Sequence, residues 1–133
     1  MVNIDREKIE GIAKDHQLKL LVLFGSQATG HTHKKSDVDV GYLADREIDY
    51  RENYDITLKL ARIFQNPDVE FVNLDNVSPV LKKQVADQGI VLFESKKGIF
   101  DEFSICANRI YMDTKPLRLY REIFIKDFLK KYA

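Results

Sequence analysis

The sequence predicts an α+β fold: a small mixed sheet of about four strands flanked by helices, with a helical C-terminal extension. Three observations predict it. LKLLVLF, residues 18–24, is a near-continuous apolar run ended by Gly25, as in a central strand buried on both faces. Shorter apolar runs at Val38–Leu43, Val69–Leu74 and Ile90–Phe93 alternate with stretches of helical period. From Lys97 onward the texture is helical and rich in aromatic and basic residues.

Each element has its own signals. Asn3–His16 reads as an amphipathic helix capped by Asp5 or Asn3, with Ile9, Ile12 and Ala13 near one face. Tyr50–Phe64 reads as a helix on the spacing of Tyr54, Leu58, Ala61 and Phe64, and Asn66-Pro67-Asp68 ends it. Ser78-Pro79 is an N-cap and N1 pair that opens a helix through Asp87, closed by Gly89. Lys97–Asp113 carries Ile99, Phe103, Cys106, Ala107 and Ile110. LRLYREIFIKDFLKKY continues the pattern after Pro116, so two helices with a break near Thr114-Lys115-Pro116 are expected. The expected organisation is a single domain, 1–133, made of an α/β core over 1–95 and a helical extension over 96–133.

Composition excludes several classes. The chain has 133 residues and an apolar content of 44%, enough for a real core. Lys+Arg and Asp+Glu both number 21, so the balance demands neither nucleic acid nor membrane as partner. Cys106 is the only cysteine, so no internal disulfide forms, and it reads as a small buried hydrophobe rather than a nucleophile. The stretch MVNIDREKIEG has no apolar signal core, and no apolar run is long enough to span a membrane. A cytoplasmic protein is expected.

The chemistry concentrates in LFGSQATGHTHKKSDVDVGYL, residues 23–43. Strand alternation puts Asp37 and Asp39 on one face, their Cα atoms about 6.5 Å apart, and turns Val38 and Val40 to the other. Two carboxylates side by side repel unless a cation lies between them. Mg²⁺ takes one or two carboxylates together with substrate phosphates. Gly25 lets the chain leave its strand sharply and approach a ligand. The N–H groups that follow, with the Ser26 hydroxyl, can hold phosphate oxygens. That layout suits a nucleoside triphosphate. Glu70, alone in the apolar strand VEFVNL, is the candidate third carboxylate; an edge-strand salt bridge is its other reading. With it, one metal would bridge the aspartates and the triphosphate, and a second would bind Asp37, Asp39 and Glu70 and activate the attacking hydroxyl.

Gly25-Ser26-x-Ala28, eight residues, then Asp37-x-Asp39 resembles the nucleotidyltransferase signature of the DNA polymerase β-like superfamily, and its small branch, the minimal nucleotidyltransferases (MNT), most closely. Chain length, strand order and an acidic residue at Glu70 fit the same branch. ANRIYMDTKPLRLY is similar to MNT proteins encoded beside HEPN-domain RNases. The resemblance implies a nucleotidyltransferase fold and Mg²⁺-dependent transfer of AMP from ATP. In HEPN–MNT pairs it implies an antitoxin that adenylylates a tyrosine of the HEPN toxin and so silences it. By carry-over Gly25 and Ser26 hold the triphosphate, Asp37 and Asp39 bind metal, and Glu70 fills the third acidic position. Gln27 stands where many relatives have Arg, and Glu70 where Asp is commoner. A HEPN toxin as partner, and no direct contact with nucleic acid, are the expectations that follow. Steric masking of the toxin, or transfer to a small-molecule hydroxyl, are the rival functions.

Other features read more plainly. His31 and His33 lack a third ligand nearby and belong to a solvent-facing loop with Lys34 and Lys35. Ser36 is a turn residue that could also contact phosphate. Phe100, Phe103, Tyr111, Tyr120, Phe124, Phe128 and Tyr132 exceed what two short helices need for packing, so part of that surface is expected to meet another protein.

Overall fold

The computed structural model describes residues 5–25, 28 and 37–132. Eight elements follow one another: α1 (Arg6–Asp15), β1 (Leu18–Phe24), β2 (Val38–Ala44), α2 (Tyr50–Phe64), β3 (Val69–Asn73), α3 (Pro79–Gln88), β4 (Ile90–Glu94) and α4 (Ile99–Tyr132). The four strands form one mixed sheet in the order β3-β2-β1-β4. β1 runs antiparallel to β2 and β4, and β2 runs parallel to β3.

β1 is central and apolar for a physical reason: both its faces are covered. Leu18, Leu21 and Leu23 pack with Ile9, Ile12 and Ala13 of α1 and Ile56, Leu60 and Phe64 of α2. Leu20, Val22 and Phe24 pack with Val85 of α3 and Phe103 and Ala107 of α4. β2 splits the same way, with Val38, Val40 and Tyr42 in the first cluster and Leu43 against the second.

The caps match the sequence signals. Asp5 accepts from the Lys8 N–H, Asp49 from the Glu52 N–H, and Ser78 from the Leu81 N–H ahead of Pro79. α3 ends at Gly89, but φ there is −67°. Glycine serves here through close approach: a Cβ would meet the Val85 carbonyl and the Val22 side chain.

Three expectations are corrected. The buried stripe of α2 is Ile56, Leu60 and Phe64, while Tyr54 and Leu58 are exposed; an Ile at 56 offers an alternative helical register, and the sheet selects it. Cys106 is exposed, because α4 turns Phe103 and Ala107 inward instead. The expected break near Pro116 is absent: α4 is continuous from Ile99 to Tyr132. Proline removes one intrahelical hydrogen bond and crowds the preceding turn. The bond lost is the one to the Met112 carbonyl, and side chains brace the turn just before it. The Thr114 hydroxyl donates to the Ile110 carbonyl at 2.8 Å, and Arg118 donates to Thr114 Oγ1 at 2.6 Å and to the Tyr111 carbonyl at 2.8 Å. The Arg118 guanidinium lies 3.9 Å from the Tyr111 ring centroid, which anchors the clamp.

Only the first half of α4 belongs to the core. Beyond Arg118 it is exposed all round, including Tyr120, Ile123, Phe124, Phe128 and Leu129. Among the described residues no helix is long and apolar enough to cross a membrane.

Candidate active site

The site lies where β1 ends and β2 begins. Gly25 closes β1 with φ +75°, a conformation glycine adopts without strain. Its carbonyl accepts from the Ala28 N–H at 3.2 Å, so the chain turns back at once, and Ala28 itself is helical. Phe24 pairs with Asp39 across the antiparallel ladder. This brings the Gly25 backbone against the Asp39 carboxylate so closely that any Cβ there would collide with it.

On the other side of β2, Asp39 is in register with Glu70 of β3. Neighbouring strands lie about 4.8 Å apart, and residues in register share a face. Asp39, Gly41 and Leu43 therefore share a face with Glu70 and Val72, while Val38 and Val40 are fully buried on the opposite one. Val38 is held at the strand start by its N–H bond to the Asp68 carbonyl at 2.9 Å, which fixes the stagger of the two strands.

Electrostatics single out Asp39. Its pKa is raised above the ordinary carboxylate value, first by burial and then by the charges of Glu70 and Asp37, and a hydrogen bond with Glu70 favours the proton further. Asp37 and Glu70 are exposed. β3 is an edge strand, so the carboxyl of Glu70 reaches water and pays no burial cost, contrary to what its apolar neighbours suggest. Among the described residues no ion pair engages Glu70.

The three carboxyls are hard oxygen donors of the kind Mg²⁺ prefers. Asp39 is short of positive charge, and a cation would relieve the repulsion that raises its pKa. The donor chemistry therefore fits. Among the described residues no three acidic, His or Cys side chains already converge as a cation cage.

Gly25, Asp37, Asp39 and Glu70 are thus brought to one end of the sheet. Ser26 and Ser36, together with Gln27, His31, His33, Lys34 and Lys35, lie outside the described residues. The sequence reading missed a groove of about 440 Å³ between α2 and the edge of β3, lined by Tyr50, Asn53, Tyr54 and Thr57 together with Glu70 and Phe71. Its signal was available: positions 50, 53, 54 and 57 recur at helical spacing on one face of α2.

A glycine turn pressed on one carboxylate, with a second carboxylate in register on the adjoining parallel strand, is a nucleotidyltransferase arrangement. The chain belongs to the polymerase beta nucleotidyltransferase family, whose model matches residues 7–98. More particularly, it is 33% identical over 136 residues to the protein adenylyltransferase MntA of Shewanella oneidensis, covering 100% of this chain and 94% of that one. It is 32% identical over 136 residues to the protein adenylyltransferase MntA of Aphanizomenon flos-aquae, covering 92% of this chain and 87% of that one. Among solved structures it is similar to a chain of a toxin–antitoxin crystal structure with AMP-PNP, with a TM-score of 0.76 and 30% identity over 95% of this chain and 99% of that chain. It is also similar to a chain of the tri-AMPylated Shewanella oneidensis HEPN toxin in complex with MNT antitoxin, with a TM-score of 0.69 and 28% identity over 93% and 95%. The resemblance to the MNT branch drawn from the motif is borne out, and it extends along the whole chain.

Proposed function

We propose that this chain is an antitoxin that transfers AMP from ATP to a tyrosine hydroxyl of a cognate HEPN RNase and thereby neutralises it. The observation that carries the reading is the row formed by Gly25, Asp39 and Glu70 at one sheet end, in a chain similar over its full length to the MntA protein adenylyltransferases. Gly25 and Ser26 hold the triphosphate through backbone N–H groups and the hydroxyl. Asp37, Asp39 and Glu70 would hold Mg²⁺, two ions in the fullest form. Bound there, Mg²⁺ supplies neutralisation of the triphosphate charge and acidification of the acceptor hydroxyl. Asp39, half-buried between its two acidic neighbours, is the residue whose charge the ion would stabilise most. The core over 1–95 carries the chemistry, and the extension over 96–133 carries contacts to the partner.

Radiolabelled ATP and the cognate HEPN protein test the reading. Label is expected on the HEPN protein with the native chain and not with Asp37→Asn/Asp39→Asn; equal labelling by both overturns it.

One observation favours a steric contribution beside the chemical one. Residues 115–132 carry six basic residues against two acidic ones, interleaved with exposed apolar side chains. A helix apolar on more than one side is usually buried by something. If the double variant still silences the RNase fully, binding alone suffices.

A further inference from the structure

Strand order sets three features in a row. Gly25 ends β1, Asp39 lies beside it on β2, and Glu70 lies beyond on β3. At about 4.8 Å per strand, Glu70 stands about 10 Å from the turn, with Asp39 between them. Displacement at phosphorus needs the attacking and leaving oxygens on opposite sides. With the leaving pyrophosphate on the Gly25 side, the acceptor enters from the Glu70 side.

The groove between α2 and β3 opens on that side, and Glu70 is part of its wall. Tyr50 and Tyr54 are 81% and 64% exposed, so neither ring serves the core. Asn53 is fixed: its amide donates to the Phe71 carbonyl at 3.1 Å, and its own carbonyl accepts from the Thr57 hydroxyl at 2.7 Å. The Asp68 carbonyl and the Leu74 N–H both bond to β2. Alternation therefore turns the backbone of Phe71 outward, toward the groove. The strand residues that line it, 69–72, span about 13 Å, the length of an extended tetrapeptide and more than a single ring needs.

We propose that this groove is the acceptor site: it receives an extended, tyrosine-bearing segment of the partner protein along the open edge of β3, packs that ring against Tyr50 and Tyr54, and passes its hydroxyl around the edge to Glu70, whose side chain lies on the sheet face away from α2. The proposal rests on the adenylyl-transfer reading and adds where and how the acceptor binds. Two exposed aromatic rings favour an aromatic acceptor over a serine or threonine, and a groove rather than a closed pocket suits a polypeptide. In the step served, the tyrosine oxygen forms a bond to the α-phosphorus of ATP. The bond from that phosphorus to the bridging oxygen breaks, and its electron pair leaves with pyrophosphate. The phenolic proton is released beside the Glu70 carboxylate.

The test is the kinetics of AMP transfer to the cognate HEPN protein by Tyr50→Ala/Tyr54→Ala, with AMP-PNP affinity measured alongside by calorimetry. Both side chains are exposed, so the variant loses no core contact. The expected result is a KM for the HEPN acceptor raised about tenfold, an AMP-PNP affinity within twofold of native, and partial recovery in Tyr50→Phe/Tyr54→Phe. An unchanged KM, with the native chain active, overturns the acceptor site and leaves the transfer reading intact. A weakened AMP-PNP affinity overturns it too, since the groove would then hold the nucleotide. Label found on Tyr50 or Tyr54 themselves also overturns it, because the groove would then present an acceptor instead of receiving one. A native chain that labels no HEPN protein overturns the transfer reading itself, and the acceptor site with it.

Discussion

A side chain on Gly25 and the carboxylate of Asp39 cannot occupy the same space, because the end of β1 is pressed directly on the start of β2. Gly25→Ala therefore meets two penalties. The first is its φ of +75°, worth about 1–2 kcal/mol for an L-residue. The second is displacement of the Asp39 carboxyl, and misplacement of that order costs about a hundredfold in rate. AMP-transfer kinetics and thermal melting read the two penalties separately. Gly11→Ala is the control: nothing lies within 4 Å of its Cβ, and in the middle of α1 it should add about 1 kcal/mol of stability with activity unchanged.

Asp39→Asn should uncouple stability from activity. The folded chain binds the Asp39 proton more tightly than the unfolded chain, so the ionised carboxyl costs stability at neutral pH. The cost is relieved as pH falls through the raised folded value toward the ordinary 3.8. The amide removes the charge, and the melting temperature at pH 7 should rise while transfer is lost. Millimolar Mg²⁺ should raise the melting temperature of the native chain and leave that of the variant unchanged. Scanning calorimetry with and without the ion checks both.

Acid should act on a different cluster. Arg46 donates to Glu52 through both terminal guanidinium nitrogens, and His16 Nδ1 lies 2.8 Å from Glu52 Oε2, tying α1, the end of β2 and α2 together. Arg46, with His16, lowers the Glu52 carboxyl from 4.5 to about 2. A depressed carboxyl stabilises fully above 4.5, and the contribution is lost as pH falls from there through about 2. The group is partly solvated, so the effect is small and salt-sensitive. Glu52→Gln should lower the melting temperature at pH 7 and flatten its fall between pH 5 and pH 2.5, as circular dichroism would record.

The projecting half of α4 should be dispensable for folding. Past Arg118 no residue of the helix is buried, so truncation after Arg118 should leave the melting temperature within a few degrees of native and abolish stable association with the HEPN protein in size-exclusion chromatography. Pro116→Ala should strengthen the same segment by up to about 3 kcal/mol. Slower amide exchange over residues 117–132, with the core unaffected, is the expected reading.

Much of this was legible along the chain. The apolar run of β1, the Ser78-Pro79 cap, the left turn at Gly25 and the Asp37-x-Asp39 spacing are local signals, and local chemistry is what a sequence carries. Alternation alone placed both aspartates on one face, and family membership followed from the motif. What stayed hidden depended on which surfaces meet. Ile56 rather than Tyr54 and Leu58 faces the sheet, because the crossover from β2 to β3 sets the rotation of α2. Cys106 is exposed, because α4 is oriented by Phe103 and Ala107. The helix crosses Pro116 unbroken, with Thr114 and Arg118 bracing the turn before it. Most of all, only the sheet order β3-β2-β1 sets Glu70, Asp39 and Gly25 in one row and leaves a groove at its open end. Residues 25, 39 and 70 are far apart in the chain, and hydrogen-bonded strand pairing, which no local pattern encodes, brings them together.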